Sequence, residues 1–412
     1  MRVLYIVQHF SGPSGTGSSR AYEHARRLVV AGHSVTLLCG RTDRGSDSDE
    51  SEARAAGIDV RRAPTVYAQG MSYTRRLVVF GQYMRWAVRE GRSIDRPDVV
   101  LASSTPLTVG EIGRQVARHH NVPFVFEVRD LWPEVANSLG ALRTPILRWM
   151  AHRMARRVYL AADRVIALSP DMAGVIATWG VDAARITVVP NASDVDLFGT
   201  PETQEQRADM RSRLGWSDLF VALHAGAMGR ANGLEYLLEA GAWLDRQGER
   251  GVRIALLGDG ALRSRLAERI MVQGIRSVEI HPPVSRLEVP GWFAAADVAV
   301  VTVLDRPFLA MNSANKFFDA LASGRPVLLN YAGWQTDLVR EAGAGLTVDF
   351  RDPSSLARSL LALRDDPARC ASMARAARSL AEERFDRSKL ARDVENVLAS
   401  AVLDASVARS GR

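Results

Sequence analysis

Lys316 is one of only two lysines among 53 basic residues, the other being Lys389. It lies in "NSANKFFDALASGRPVLLN" (312–330), where residues 315–323 read as a short apolar helix. That helix puts Lys316 in its first turn and Asp319 one turn later, on roughly the same face. Cations are disfavoured at a helix start, where the backbone dipole is positive. A lysine there makes better sense if an anion sits between it and the helix end. Asp319 is then expected to accept hydrogen bonds from ribose hydroxyls, and phosphate plus ribose means nucleotide. The alternative is a surface ion pair between Lys316 and Asp319, worth a fraction of a kcal/mol.

Three further stretches carry chemistry of a related kind. "AGAMGRANG" (225–233) supplies Gly226, Gly229, Gly233, Arg230 and Asn232 before a helix. Backbone donors, dipole and guanidinium together form a phosphate cradle; otherwise it is a plain strand–helix loop. "LGDGALR" (257–263) repeats the theme with Gly258, Asp259, Gly260 and Arg263. "FEVRDLWPEVANSLG" (126–140) puts Glu127, Arg129, Asp130 and Glu134 at and beyond a strand's C-terminal end. Open α/β sheets bind ligands at that edge; the alternative is a solvated charged turn around a packed Trp. "SGPSGTGSSR" (11–20) approaches a dinucleotide fingerprint through Gly15 and Gly17, but Arg20 stands where the third glycine belongs. The second strand ends in "CGRTD", without the acid such a fingerprint needs, which argues against a dehydrogenase. What remains is either a loop whose N–H groups take an anion or sugar hydroxyls, or an ordinary turn.

The elements that must position these residues alternate along the chain. "RVLYIV", a Gly/Ser loop, "SRAYEHARRLVVAG" and "HSVTLLC" form a β-loop-α-β unit, the building block of parallel sheets. Strands follow at 98–103, 123–128, 164–169 and 185–191. A second start appears at "LFVALHAG" (219–226), with strands at 252–258, 277–284, 297–303 and 326–330 and helices over 353–412. The fold class is α/β, with two Rossmann-like halves. The polar segment "NASDVDLF" (191–198) reads as the hinge between them. Residues 41–56, acidic and Ser-rich, read as an exposed loop.

At 412 residues two domains are expected. The net charge of +7 and pI near 9.8 suit anionic partners: phosphates, nucleic acid or an acidic membrane surface. Cys39 and Cys370 make neither a disulfide framework nor a zinc site, and a reducing cytoplasm is the default. The N-terminus lacks a signal-peptide pattern, and no apolar stretch approaches the roughly 20 residues of a membrane span. Residues 73–92 and 142–164 interleave arginines with apolar residues. Such helices either lie on anionic membrane surfaces or present a solvated basic face while packing on a core.

"GHSVTLL", "RDLWPE", "ALSPDM", "VVPNASDVDLF", "AGAMGRANGLEYLLEA", "LLGDGALRSRL" and "NKFFDALASGRPVLLN", in that order, resemble glycosyltransferase family four, of the GT-B fold, and within it the WbuB-like branch. The resemblance implies two doubly wound Rossmann-like domains facing across a cleft: an acceptor-binding domain over 1–192, a donor-binding domain over 193–385, and a last helix over 386–412 crossing back to the first. It implies transfer with retention, without metal or other cofactor, from a nucleotide sugar, commonly a uridine-diphosphate sugar. The implied acceptor is a lipid-linked or other glycan in surface polysaccharide assembly. Nucleic acid is no partner in this reading. The enzyme is expected in the cytoplasm, with peripheral contact to the anionic inner face of the plasma membrane.

Mapped by the resemblance, the leaving diphosphate sits between 226–233 and the 315–323 helix, with Arg230 and Lys316 stabilising its charge. Asp319 falls on the second acid of the family's paired-acid motif. Met311 falls on the first, with Asn312 or Asn315 as replacements. The family's Arg and Lys after the first strand of this half map near Ala227 and Asn232, which carry no charge. The base is expected near Gly258, Asp259, Gly260 and the backbone of Val284. Glu127, Arg129 and Asp130 are expected to approach the transferred sugar and the acceptor. The alternatives are a nucleotide-sugar epimerase on the same fold, and a non-catalytic basic adaptor for polyanions or membranes.

Overall fold

A computed structural model describes residues 1–13, 15, 19–42, 46–68, 71–138, 140, 142, 144–199 and 204–410. The chain divides into two compact units, Met1–Pro190 with Ser388–Arg412, and Asn191–Arg387. The first is built on β1 (Arg2–Val7), β2 (Ser34–Thr42), β3 (Asp59–Tyr67), β4 (Val99–Ser103), β5 (Phe124–Val128), β6 (Arg164–Ala167) and β7 (Ile186–Val188). These pair in parallel in the order β3-β2-β1-β4-β5-β6-β7. Its helices include α1 (Arg20–Val30), α2 (Ser46–Ala55), α3 (Tyr73–Ser93), α4 (Thr108–His120), α5 (Glu134–Ser138) and α6 (Pro145–Ala161). The final helix, Arg387–Ser410, packs on this unit, with His33 bonded to Glu395 at 2.9 Å and Arg164 paired with Asp404.

The second unit repeats the plan with β8 (Phe220–Ala225), β9 (Val252–Leu257), β10 (Val278–His281), β11 (Val298–Val301), β12 (Val327–Leu329) and β13 (Gly345–Thr347). Its parallel order is β10-β9-β8-β11-β12-β13. Strands covered on both faces read as unbroken apolar runs rather than alternating ones. β1, β4 and β5 are buried along nearly their whole length. Each sheet reverses its winding once, between β1 and β4 and between β8 and β11. At such a switch point the loops leaving neighbouring strands diverge and open a crevice at their carboxyl ends. The candidate residues cluster at these two edges.

The stretch 41–56 corrects the expectation of an exposed loop. β2 runs to Thr42 and α2 covers Ser46–Ala55. Asp49 is buried there and accepts the Gly12 N–H at 2.7 Å, which ties α2 to the Gly-rich loop. Acidic residues in a first turn suit the helix dipole, so a sequence without an apolar stripe still forms a helix. β3 and β13 were also not expected. β3, "DVRRAPTVY", is an edge strand whose arginines and Pro obscure the pattern, and β13 has only three residues.

Candidate functional site

In the second unit the two glycine loops are one construction. Gly226 N–H donates to Leu257 C=O at 2.9 Å, Met228 N–H to Asp259 C=O at 2.8 Å, and Leu262 N–H to Met228 C=O at 2.9 Å. A Cβ on Gly258 would fall 2.1 Å from the Gly226 carbonyl oxygen, and one on Gly260 2.7 Å from the Met228 backbone. Both glycines also have positive φ, +145° and +155°, so both are required by close backbone approach. The Asp259 carboxylate accepts the Gly260 N–H at 2.8 Å.

Lys316 stands in the first turn of the helix Asn315–Ala322, beside this construction. Its Nζ donates to Asn232 Oδ1 at 2.6 Å and lies 3.4 Å from His224 Nε2. Asn232 in turn donates from Nδ2 to the Ala227 carbonyl at 2.7 Å, which turns its oxygen toward the lysine. A Cβ on Gly226 would lie 3.8 Å from Nζ, so the amine faces the glycine turn closely. Neither hydrogen-bond partner is a carboxylate. Burial without such a partner pulls the Lys316 ammonium down to about 7. His224, buried on β8, is held well below its usual value by burial and then by Lys316. Its imidazole is therefore neutral. The sequence signal for His224 was a single polar residue at the carboxyl end of "VALHAG".

Asp319 does not form the surface ion pair with Lys316 that was the alternative reading; its ion-pair partner is Arg286. It is buried and accepts from Ser193 Oγ at 2.8 Å and from Arg286 at 3.1 and 3.3 Å. A carboxylate offers about four acceptor sites, and three hydrogen bonds already occupy this one. Arg286, missed in the sequence, also lies over the Phe198 ring at 5.2 Å. It follows Val284 in the partly buried loop after β10. Asn191 donates its N–H to Ser313 Oγ at 2.9 Å and its amide to the Ser313 carbonyl. Residues 191–193 are thereby fastened to the segment holding Met311, Asn312 and Asn315. Arg230 is exposed at the start of the 3₁₀ turn Arg230–Asn232, which carries Lys316's partner Asn232, and lines a cavity of about 430 Å³ with Arg265, Arg351, Glu235 and Asn330.

In the first unit Glu127 corrects the expectation that it approaches substrate. Near the end of β5 its side chain is 1% exposed, accepting from Arg20 Nε at 2.9 Å and from Ser103 Oγ. Burial pushes its carboxyl up, but the charges of Arg20, His24 and Arg129 outweigh that and hold it at about 2. Arg20 also donates to the carbonyls of Pro190, at 2.8 Å, and Val189, at 3.1 Å. Arg20, where a fingerprint glycine was missing, is thus a buried structural tie.

Arg129 and Asp130 do lie at the carboxyl edge, partly buried. Arg129 N–H donates to Ser104 Oγ at 3.0 Å, and Thr105 Oγ1 donates to Asp130. The loops after β4 and β5 are joined side by side. His9, just past β1, packs edge-on to Tyr67 at 4.8 Å, and Tyr67 stacks on Phe80 at 5.9 Å. Burial, then the nearby Arg129, pulls His9 down to about 4. Burial pushes Glu134, at the start of α5, upward. Gly15 N–H bonds the Gly12 carbonyl at 3.2 Å; Gly17 lies outside the described residues. Among the described residues no group of three or more His, Cys, Asp or Glu is placed to hold a metal ion.

Two Rossmann-like units with glycine loops at their switch points define the GT-B class. Residues 15–192 match the family description "Glycosyl transferase 4-like domain", and residues 220–366 match "Glycosyl transferases group 1". The chain belongs to glycosyltransferase family four. A D-inositol 3-phosphate glycosyltransferase of Xylanimonas cellulosilytica is 32% identical over 71% of this chain and 70% of that protein. One from Streptomyces scabiei is 30% identical over 91% and 84%. With D-inositol 3-phosphate glycosyltransferase 1 of Catenulispora acidiphila, 30% identical, the chain spans 62% of the relative's length. In fold, Anabaena HepE solved with UDP and glucose superposes with a TM-score of 0.72 at 18% identity, covering 97% of this chain and 100% of that one. Sucrose-phosphate synthase of Thermosynechococcus elongatus superposes with a TM-score of 0.76 at 18% identity, over 97% and 98%.

Proposed function

We propose that the protein is a retaining, metal-independent glycosyltransferase of the WbuB-like kind. It moves a sugar from a nucleotide sugar, a uridine-diphosphate sugar, onto a lipid-linked glycan acceptor in surface polysaccharide assembly. It works in the cytoplasm. The second unit takes the donor and the first takes the acceptor. The observation that carries this reading is the Lys316 ammonium, 2.6 Å from Asn232 Oδ1 and against Gly226. Asn232 maps near a position where the family has a cation, and Lys316 brings a cation to its side chain from another element.

A partly buried ammonium held only by neutral groups is an electrostatic receptor for an anion. The diphosphate of the donor takes that place, with the backbone around Gly226 and Gly229 as further donors. As the bond between the anomeric carbon and the phosphate oxygen breaks, negative charge grows on the diphosphate, and Lys316 stabilises it. The acceptor oxygen attacks from the same face, and its proton passes to the departing phosphate oxygen. Arg230, in the same turn as Asn232, adds positive charge from the solvent side. Asp319, oriented by Arg286 and Ser193, has room for one ribose hydroxyl. The base lies along Gly258–Gly260 and the Val284 backbone. Arg129 and Asp130 face the acceptor.

A second acceptor class is favoured by the relatives' names, which specify D-inositol 3-phosphate. The experiment is a thermal-shift titration with UDP, followed by transfer assays against inositol phosphate and lipid-linked acceptors. A ligand at a hundred times its Kd stabilises by about 2.7 kcal/mol. UDP is expected to stabilise the wild type and to do so far less in Lys316→Ala, whose turnover falls well over tenfold, roughly the loss expected on removing an electrostatic donor. Equal stabilisation and activity in the two proteins would remove this site assignment.

A further inference from the structure

Four strands of the second sheet, in the order β8-β11-β12-β13, end side by side, and the loops leaving them border the cavity of about 430 Å³ that Arg230 lines. That volume falls within the roughly 300–1,000 Å³ of small-molecule sites. Its walls are fixed. Asn330, 3% exposed, accepts the Val303 N–H at 2.9 Å and donates back to the Val303 carbonyl at 3.3 Å. Leu304 N–H donates to the Ala231 carbonyl at 2.8 Å, which ties the exit of β11 to the 3₁₀ turn. Tyr236 Oη donates to the Asp349 carbonyl and the Arg351 N–H to the Asp349 carboxylate, each at 2.8 Å, so the loop carrying Phe350 and Arg351 is held in place. Among the described residues the lining includes neither Lys316 nor His224 nor Gly226, so the cavity is not the diphosphate seat proposed above.

Three kinds of side chain meet there. Arg230, Arg265 and Arg351 are all exposed, and among the described residues none of them pairs with a carboxylate. Arg269, one turn beyond Arg265 on the helix Arg263–Gln273, shows the contrast: it pairs with Glu239 at 3.2 Å. Glu235 and Asp305 bring carboxylates that also have no cationic partner among the described residues. Leu304 and Phe350 add apolar surface, 37% and 36% exposed, and the Arg351 guanidinium stands over the Phe350 ring at 5.0 Å. Guanidiniums without a counter-charge are receptors for phosphate, which they bind in bidentate fashion. Carboxylates only accept, so they suit hydroxyls and reject a second anion. Exposed apolar side chains gain by covering the C–H face of a ligand ring.

We infer that this cavity binds a phosphorylated polyol ring, a sugar or cyclitol monophosphate. Its phosphate meets Arg230, Arg265 and Arg351, its hydroxyls donate to Glu235 and Asp305, and its ring lies against Phe350 and Leu304. A bare anion would leave the carboxylates and the apolar surface unused. A neutral sugar would leave three guanidiniums unmatched. The turn Arg230–Asn232 borders both sites, since Arg230 lines the cavity and Asn232 meets Lys316 at 2.6 Å. The site is additional to the proposed transfer reaction and does not depend on it, and no bond is made or broken there.

The experiment is a calorimetric titration of the full chain with glucose 6-phosphate, myo-inositol 1-phosphate, glucose and inorganic phosphate. A phosphorylated ring is expected to bind, inorganic phosphate at least about tenfold more weakly, as expected if hydroxyl contacts are lost, and glucose without measurable heat. The tighter of the two phosphorylated rings tells sugar from cyclitol. Arg265→Gln and Arg351→Gln, at exposed positions, are each expected to weaken that binding roughly tenfold, the loss of one charge-assisted hydrogen bond. Glu235→Gln/Asp305→Asn is expected to narrow the preference for the phosphorylated ring over inorganic phosphate. The melting temperature of each variant without ligand stays at the wild-type value, which shows that it folds. Lys316→Ala is expected to keep the sugar phosphate, and Arg265→Gln/Arg351→Gln to keep UDP stabilisation, so failure of the donor site and failure of this site are told apart. No binding by either phosphorylated ring overturns the proposal, as does inorganic phosphate binding equally well. Binding that Lys316→Ala abolishes and the double arginine variant retains also overturns it, since the phosphate would then lie at the donor turn.

Discussion

Glu127 in the first unit and Lys316 in the second are both charges withdrawn from water near the carboxyl ends of parallel strands, yet their surroundings are opposite. Glu127 is matched by a guanidinium at 2.9 Å and a serine hydroxyl, and its carboxyl stays ionised at about 2. Lys316 meets an amide oxygen and a neutral imidazole, and its ammonium falls to about 7. A buried charge with its counter-charge in place is finished structure. One held only by neutral dipoles is costly until an anion arrives, so perturbation without an opposite charge is the better pointer to a ligand. The first pair ties α1 to β5 and to the chain leaving β7. The second faces a glycine turn shaped for close backbone approach.

The largest expected effect breaks the finished pair. Glu127→Ala leaves Arg20 buried and uncompensated and is expected to cost about 3–5 kcal/mol, read as a lower denaturation midpoint. Replacing both partners together, Arg20→Met/Glu127→Leu, is expected to recover most of that loss. If Glu127→Ala unfolds no more easily than wild type, the pair is not the tie described. Lys316→Ala runs the other way. Removing an unmatched, partly buried cation leaves folding intact, while donor binding and turnover fall.

Asn232→Asp makes the second region resemble the first. The new carboxylate pairs with Lys316 and competes with the diphosphate, and UDP affinity is expected to drop by about tenfold, in line with one charge-assisted hydrogen bond. Unchanged affinity by calorimetry would mean that Lys316 does not meet the nucleotide.

The smallest effect is in proton counting. Because burial lowers Lys316, the unfolded chain binds more protons than the folded one between about 7 and 10.5. Stability therefore rises with pH across that window, and Lys316→Met is expected to flatten the rise. An anion restores the protonated form, so UDP binding above pH 7 is expected to take up a fraction of a proton, at most about one. Calorimetry in buffers of different ionisation enthalpy measures it. No proton uptake, with binding intact, would place the diphosphate away from Lys316.

Much of this architecture was legible in the chain because parallel strands buried on both faces must be apolar and their loops must carry glycine. β1, β8, the 226 and 258 loops and the helix start at Lys316 could all be read that way. α2 escaped because a helix of acids and serines has no apolar stripe, and β3 because an edge strand tolerates Arg and Pro. Arg286 escaped because nothing in "VSRLEVPGW" marks an arginine that turns back onto Asp319. The number of halves, their winding and the glycines at each switch point follow from local pattern, since backbone conformation and burial leave a periodic signature. Which charges are paired does not. Lys316 and Asp319 sit one turn apart, yet one reaches across to β8 and the other to the loop after β10. Electrostatic partners are chosen by distance in space and by desolvation, and both exist only once the sheets have closed.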